Sequence, residues 1–346
     1  MQSTNTPTKM PVPFAESGTK NTVPIPSQIG ITPGAASFTT GFPPLNFTPI
    51  LAGGVAPFGA DFNGVFNAIT QALRWSNAGG QYVYDATFAT AIGGYPKGAL
   101  VQRSTLDGFW LSTADNNATD PDASGAGWTD PLSGRLINVQ TFTASGTYTP
   151  TAGTKSVVVE VVGGGGAGGG TATCTASQAS AGAGGGGGGY AKSRLTTGFS
   201  GATVTIGAGG AGVVSAGGGN GGTSSFGALL SAPGGSGGTA GAVNGLFPSI
   251  AGNGPGGSVG VGGNILNAMG SAGGSGFMNT ASTAISGVGG ASVFGGGGGA
   301  FTNTTINGAA ASTPGSGGSG ALTIASGAGK TGGNGAAGIV IVYEYA

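Results

Sequence analysis

The sequence predicts a mainly irregular and β fold. An extended N-terminal arm leads into one helix and short strands, then a glycine-rich C-terminal domain of packed polyglycine II helices closed by β-strands. Three observations predict it. Of the 81 glycines, 19 precede Gly163 and the other 62 lie between Gly163 and Gly338, in runs such as Gly163–Gly166, Gly184–Gly189 and Gly295–Gly299. From Gly163 onward only Lys192, Arg194, Lys330 and Glu344 carry charge. β-Branched segments stand at both ends of that stretch.

Residues 1–60 are rich in proline, as in Pro11-Val12-Pro13, Pro24-Ile25-Pro26 and Pro43-Pro44. Proline fixes φ and removes a donor, which predicts an extended arm. Its apolar residues Phe14, Ile25, Phe38, Phe42, Leu45 and Ile50 imply that the arm lies on something. Residues 61–138 form a second segment. Asp61 to Ala78 has the spacing of an amphipathic helix, with Phe62, Val65, Phe66, Ile69, Ala72 and Leu73 on one face. Asp61 is the expected N-cap and Gly79 the expected stop. That apolar face fits either a core or a helix contact between subunits. Ala99–Arg103 and Phe109–Thr113 read as strands flanking the hairpin signal Asp107-Gly108. Asp115-Asn116-Asn117 and Asp120-Pro121-Asp122 lack the ligand alternation of a calcium loop and read more simply as Asx turns.

Residues 139–346 form the third segment. Val139–Tyr148, Ser156–Val162 and Ile339–Tyr343 read as strands that bracket the glycines and can pair with each other. There is no strict G-X-Y period, which excludes collagen. Threefold extended helices make no internal hydrogen bonds, so side-by-side packing would let each N–H and C=O find a neighbour. Only glycine permits that approach. The alternative is a flexible Gly/Ser linker. Against it stand the scarcity of charge, the recurring apolar residues (Val204, Ile206, Phe226, Leu229, Phe294 among them) and the bracketing strands. The glycine-poor stretches 171–181, 243–250, 265–269, 277–285 and 300–306 are the expected loops between helices.

Chemistry is bounded by what the chain lacks. It has no histidine, which excludes Ser-His-Asp and Cys-His pairs and histidine-ligated zinc. One cysteine, Cys174, excludes an internal disulfide framework. No enzymatic activity, cofactor or metal is expected. Formal net charge is zero, so there is no basic field for nucleic acid. The apolar runs are too short to span a bilayer, and Met1–Pro13 does not read as a secretory signal.

Several motifs in order resemble the N-terminal module of bacteriophage and prophage tail fibres. They are Pro13-Phe14-Ala15, Gly18-Thr19-Lys20-Asn21, Gly41-Phe42-Pro43-Pro44, Gly53-Gly54, Asp61-Phe62-Asn63-Gly64, Gly93-Gly94-Tyr95-Pro96 and Phe109–Thr113, over roughly residues 11–130. Residues 139–346 resemble the glycine-rich C-terminal domain of such fibres. Here the features are Phe142 with Tyr148-Thr149-Pro150, Val157–Val162 running into Gly163, Val204–Gly210, Ser224–Gly227 and Gly338–Ile341. In composition this half is also similar to the tip adhesins of some T-even-type phages.

The resemblance implies a virion protein made in the host cytoplasm, without membrane insertion. Its arm would attach to tail or baseplate proteins and its chains would form a homotrimer. Its glycine-rich tip would bind a bacterial surface receptor: an outer-membrane protein, pilus or polysaccharide. No receptor contact carries over residue by residue. The expected pool is drawn from the loops: Phe247, Ile265, Leu266, Met269, Phe277, Met278, Asn279, Phe301 and Asn303. For each the alternative is packing beneath its own loop or in a subunit contact.

Overall fold

A computed structural model describes residues 7–346, in two compact units that divide between Pro131 and Leu132. In the first unit, helix α1 (Gly59–Asn77) starts two residues earlier than expected, with Phe58 at the N-cap position and no side-chain cap. Asp61 is therefore not the N-cap. Its buried carboxylate accepts from Asn21 Nδ2 (2.7 Å) and from Ala36 N (2.8 Å), so donors on the arm hold the group expected to cap the helix. Gly79 ends the helix with φ +85°, as its position predicts.

The arm lies on α1, along a face that the apolar spacing does not mark. Asp61, Gly64 and Asn67 are the buried residues of the helix. A Cβ on Gly64 would overlap the carbonyl oxygen of Asn21. Asn67 Nδ2 donates to Phe14 O (2.6 Å), and Phe14 N donates to Thr70 Oγ1 (2.8 Å). The predicted apolar face stays open. Phe62, Phe66, Ile69 and Leu73 are 41–49% exposed, although Phe42 stacks on Phe62 and Phe14 on Phe66.

A short helix α2 (Ala86–Ile92) was not legible in the sequence. Asp85 caps it by accepting from Phe88 N (2.9 Å). Strands β1 (Leu100–Gln102), β2 (Phe109–Ser112) and β3 (Trp128–Thr129) form an antiparallel sheet. The expected hairpin forms, with a six-residue loop (103–108) in place of a tight Asp107-Gly108 turn. The clustered acids brace loops. Asp122 accepts from Trp110 Nε1 and Ser104 N, and Asp120 Oδ1 accepts from Asp122 N in an Asx turn.

The second unit begins with β4 (Leu136–Phe142), β5 (Gly146–Thr147) and β6 (Ser156–Val162). The strand expected over 139–148 is thus broken at residues 143–145, and its halves enter different sheets. Next come β7 (Ser180–Ala181), β8 (Tyr190–Leu195), β9 (Thr203–Thr205), β10 (Ser224–Phe226) and β11 (Leu230–Ala232). The remaining strands are β12 (Ser249–Ile250), β13 (Leu266–Ala268), β14 (Phe277–Met278), β15 (Ala284–Ile285), β16 (Leu322–Thr323) and β17 (Ile339–Tyr345). One sheet runs β13-β8-β6-β17-β4 and faces a second, β11-β10-β9-β5. Val157, Val159, Val161, Val340 and Val342 point inward at every second position and pack on Tyr148, Val204, Phe226 and Leu230. The bracketing strands pair as expected, from Ile339↔Val162 to Tyr345↔Ser156.

From this sandwich the glycine runs extend as threefold helices. Gly163, Gly166 and Gly169 donate to Gly189, Gly186 and Ala183. Gly164, Ala167 and Gly170 donate to Gly222, Gly219 and Ala216, while Gly165 and Gly168 donate to Ala336 and Gly333. The carbonyls of the same segment accept from three further segments, through Gly235, Gly210 and Gly318. Residues 163–170 thus have six neighbours, five of them reached at every third residue. A threefold helix produces this because successive N–H groups point a third of a turn apart. Eight residues span about 25 Å at ~3.1 Å per residue.

Where a helix is surrounded on all sides, most positions are glycine and the rest are small, as at Ala167, Ser316 and Ser319. A Cβ on Gly166, Gly168 or Gly186 would overlap the carbonyl of Ser236, Ser319 or Pro255. At the periphery burial recurs at one position in three. Ala251, Gly254, Gly257 and Gly260 are buried, and most residues between them are exposed. There, side chains also serve backbone donors: Asn220 Oδ1 accepts from Gly237 N, and Asn334 Oδ1 from Gly212 N.

Glu344 is fully buried near the end of β17. Its Oε1 accepts from Tyr148 OH (2.6 Å), Gln140 Nε2 (2.9 Å) and Thr151 N (3.2 Å), joining β17, β4 and the connection between β5 and β6. Burial opposes its ionisation. The hydrogen bonds from Thr151, Tyr148 and Gln140 outweigh that and hold the carboxyl below its usual range.

Gly186→Val should abolish cooperative unfolding of the glycine-rich unit, whereas Gly299→Ala, at a position open to solvent, should shift its melting temperature little. Thermal unfolding of both variants checks this. A folded-state pKa below the unfolded one makes the Glu344 contribution complete above the unfolded value and progressively lost as pH falls through the folded one. Acidification below about pH 4.5 should therefore lower the melting temperature of the wild type more than that of Glu344→Gln. At neutral pH Glu344→Ala should cost about 3 kcal/mol, since hydrogen bonds to a charged group are lost. Denaturant titration measures that loss.

Candidate functional site at the far end of the bundle

Threefold helices that leave the sandwich end in a second set of short strands and loops. At this end β7 pairs with β16, β14 pairs with β12 and β15, and Thr171 bridges to Gly241 and Lys330. A small apolar cluster closes it: Ala179, Ala181, Met278, Ala284 and Leu322, with Phe247, Ile306 and Ile324 packed alongside. Backbone order continues into the loops. Asn303 N donates to Ala284 O and its Oδ1 accepts from Ala284 N, both at 2.9 Å. Phe301 N donates to Ser286 Oγ (3.0 Å), and Asn279 N to Thr283 O (2.8 Å).

The expected residues separate into two groups. Phe247, Phe277, Met278, Asn279, Phe301 and Asn303 come together at the far end. Ile265, Leu266 and Met269 do not join them. They flank or form β13, whose Leu266 pairs with Lys192 of β8, so they are exposed at the sandwich end. A glycine-poor loop reads the same in sequence at either end of a bundle, which is why the two groups could not be told apart.

Within the far group, Met278 is buried in the closing cluster and Phe247 is half-buried against it. Neither presents a free side chain like that of Phe277. Asn303 serves mainly to clamp Ala284. Sequence reasoning missed Ile250 and Ile285, which are 70% and 39% exposed and share the outward face with Phe277. Their signal is pairing register, Ile250↔Phe277↔Ile285, which strands of two residues do not reveal. Beside them Phe277, Asn279, Thr283, Ile285, Thr302 and Asn303 border a shallow groove of about 430 Å³.

Residues 171–181, 242–250, 277–285 and 301–306 contain no Asp, Glu, Lys or Arg, but Lys330 is bridged to Thr171 at this end, its backbone N–H donating to Thr171 O (3.0 Å). Cys174 is buried at this end, and burial pushes its thiol up, away from the reactive thiolate. Among the described residues no group of three or more His, Cys, Asp or Glu could hold a metal ion, and no helix is long and apolar enough to cross a membrane. The far end offers surface and shape rather than acid–base chemistry.

No match was found among curated proteins. Residues 137–345 match the family described as Glycine-rich domain. The matched segment opens within β4 and closes on the last residue of β17, so it takes in the sandwich, the bundle and the far-end loops together. A match over more than half of the chain, in step with the fold, makes this protein a member of the Glycine-rich domain family.

Proposed function

We propose that the chain is a bacteriophage tail fibre, held on the virion by its N-terminal unit and binding a host-cell surface receptor with the far end of its glycine-rich unit. The observation that carries this reading is the bundle itself. A rigid scaffold without reactive groups ends in ordered loops with exposed apolar side chains, the usual situation of a binding surface. The tail-fibre motifs in residues 11–130 supply the virion end of the proposal. A structural fibre or baseplate component, with the receptor read by another chain, is the competing role.

The exposed face of α1 supports self-association as a homotrimer. Phe62, Phe66, Ile69 and Leu73 form one stripe that stays 41–49% exposed although Phe42 and Phe14 of the arm touch Phe62 and Phe66. Three parallel copies about a common axis would cover that stripe in a closed cyclic assembly.

Two measurements test these proposals. Purified protein at saturation should block adsorption of the phage that carries it to susceptible cells; undiminished adsorption would favour the structural role. The mass in solution at micromolar concentration should be that of three chains, and a single-chain mass would rule out the trimer.

A further inference from the structure

The chain contains six Asn-Gly steps, at Asn63, Asn220, Asn244, Asn253, Asn307 and Asn334. Such steps are prone to lose the side-chain amide, because glycine leaves the following peptide nitrogen unhindered as a nucleophile. That nitrogen must first give up its proton. A hydrogen-bonded N–H therefore has to open before it can react, as it does in hydrogen exchange.

Five of the six steps are closed in this way. Gly64 lies inside α1, where the helical ladder takes its N–H. Gly221 N donates to Gly235 O (2.9 Å), Gly254 N to Gly184 O (3.1 Å), Gly308 N to Thr331 O (2.9 Å) and Gly335 N to Gly210 O (3.0 Å). These four are bonds between neighbouring helices of the bundle. In three of the steps the asparagine is engaged as well: Asn220, Asn334 and Asn307 Oδ1 accept from Gly237, Gly212 and Thr331 N.

Asn244-Gly245 differs. It stands on the far-end loop that leads into β12. Asn244 N and O both bond to Ala179, at 2.9 and 3.0 Å, so the backbone is held up to that residue. The next N–H, that of Gly245, has no acceptor among the described residues, and Gly245 is exposed. The Asn244 side chain turns forward over this peptide in an Asx turn: Oδ1 accepts from Leu246 N (3.0 Å), and Nδ2 donates to Ser249 Oγ (2.6 Å). The Leu246 N–H thus already sits on the oxygen where negative charge gathers when Cγ is attacked.

We propose that Asn244 is a site of spontaneous deamidation. Hydroxide takes the Gly245 N–H proton, and the nitrogen forms a bond to Asn244 Cγ. The Cγ–Nδ2 bond breaks, and the amide nitrogen takes a proton from water and leaves as ammonia. Water then opens the resulting succinimide ring at one of its two carbonyls, leaving aspartate or isoaspartate. Either product puts a carboxylate into a loop that has no charged residue and removes the donor to Ser249. Isoaspartate also lengthens the backbone by one methylene just before β12. The reactants are water and hydroxide, so the proposal stands apart from receptor binding.

The test holds the native full-length protein in mildly alkaline buffer for days and follows its chymotryptic peptides by mass. Residues 227–246 contain Asn244 and no other asparagine, so that peptide reports the site alone. It should convert at least about tenfold faster than peptides carrying the other five steps. In denaturant, where no N–H is held, the six should convert at similar rates. Gly245→Ala should slow conversion of Asn244 at least about fivefold, since a Cβ crowds the attacking nitrogen. Its melting temperature should stay at the wild-type value, because the added Cβ would lie 3.5 Å from Ser177 O, an ordinary contact.

The proposal is overturned if any of the other five steps matches Asn244 in the native protein. It is also overturned if Asn244 keeps its lead in denaturant, which would trace the rate to local sequence rather than to the free N–H. Unchanged conversion in Gly245→Ala would exclude attack by this nitrogen. Should that variant melt early, the comparison of native with denatured wild type decides alone.

Discussion

The fold of the glycine-rich unit depends on one constraint: a backbone N–H must reach the carbonyl of the next helix with no Cβ in the way. Ordinary cores remove side chains from water and let secondary structure satisfy the backbone. Here the order is inverted. Gly163–Gly170 has almost no side chain to bury, and its stabilisation comes from donors and acceptors shared among six neighbours. Ordering so much glycine is entropically costly. The valine sandwich, where β6 and β17 pair along their full length, fixes the first and last helices and gives the lattice a base on which to start.

Much of this was legible. Alternating valines announced β6 and β17, and the near absence of charge with recurring apolar residues pointed to packing rather than a linker. The missing G-X-Y period turns out to have a physical cause. Peripheral segments such as 251–260 do repeat every third residue, but the central ones need a small residue at every position, so no single period covers the chain. The reading of α1 was right about the helix and its apolar stripe. It could not show that the arm would choose Asp61, Gly64 and Asn67. Small and polar residues spaced by three were the available clue.

The far-end site was legible only as a set of loops. Sequence order says that a helix has turned round, not at which end, so Leu266 and Met269 looked equivalent to Phe277 and Asn303. Assignment needed the register of β13 on β8 and of β14 on β12 and β15. In or out within a two-residue strand is likewise a matter of pairing. Met278 and Phe277 are adjacent in the chain, yet one closes the cluster and the other faces solvent.

The inverted core also shapes how the unit responds to temperature. Unfolding an ordinary domain raises the heat capacity by about 12–15 cal/mol/K per residue, because newly hydrated apolar surface adds to it and polar surface subtracts. The central helices would expose mainly peptide groups. Their unfolding therefore carries a smaller increment, and the curve of stability against temperature is correspondingly flat. A domain held by peptide hydrogen bonds loses little of its stability on cooling, where the hydrophobic contribution fades. The lattice around Gly163–Gly170 is thus suited to keep one shape across a wide thermal range, with its loops held in register throughout.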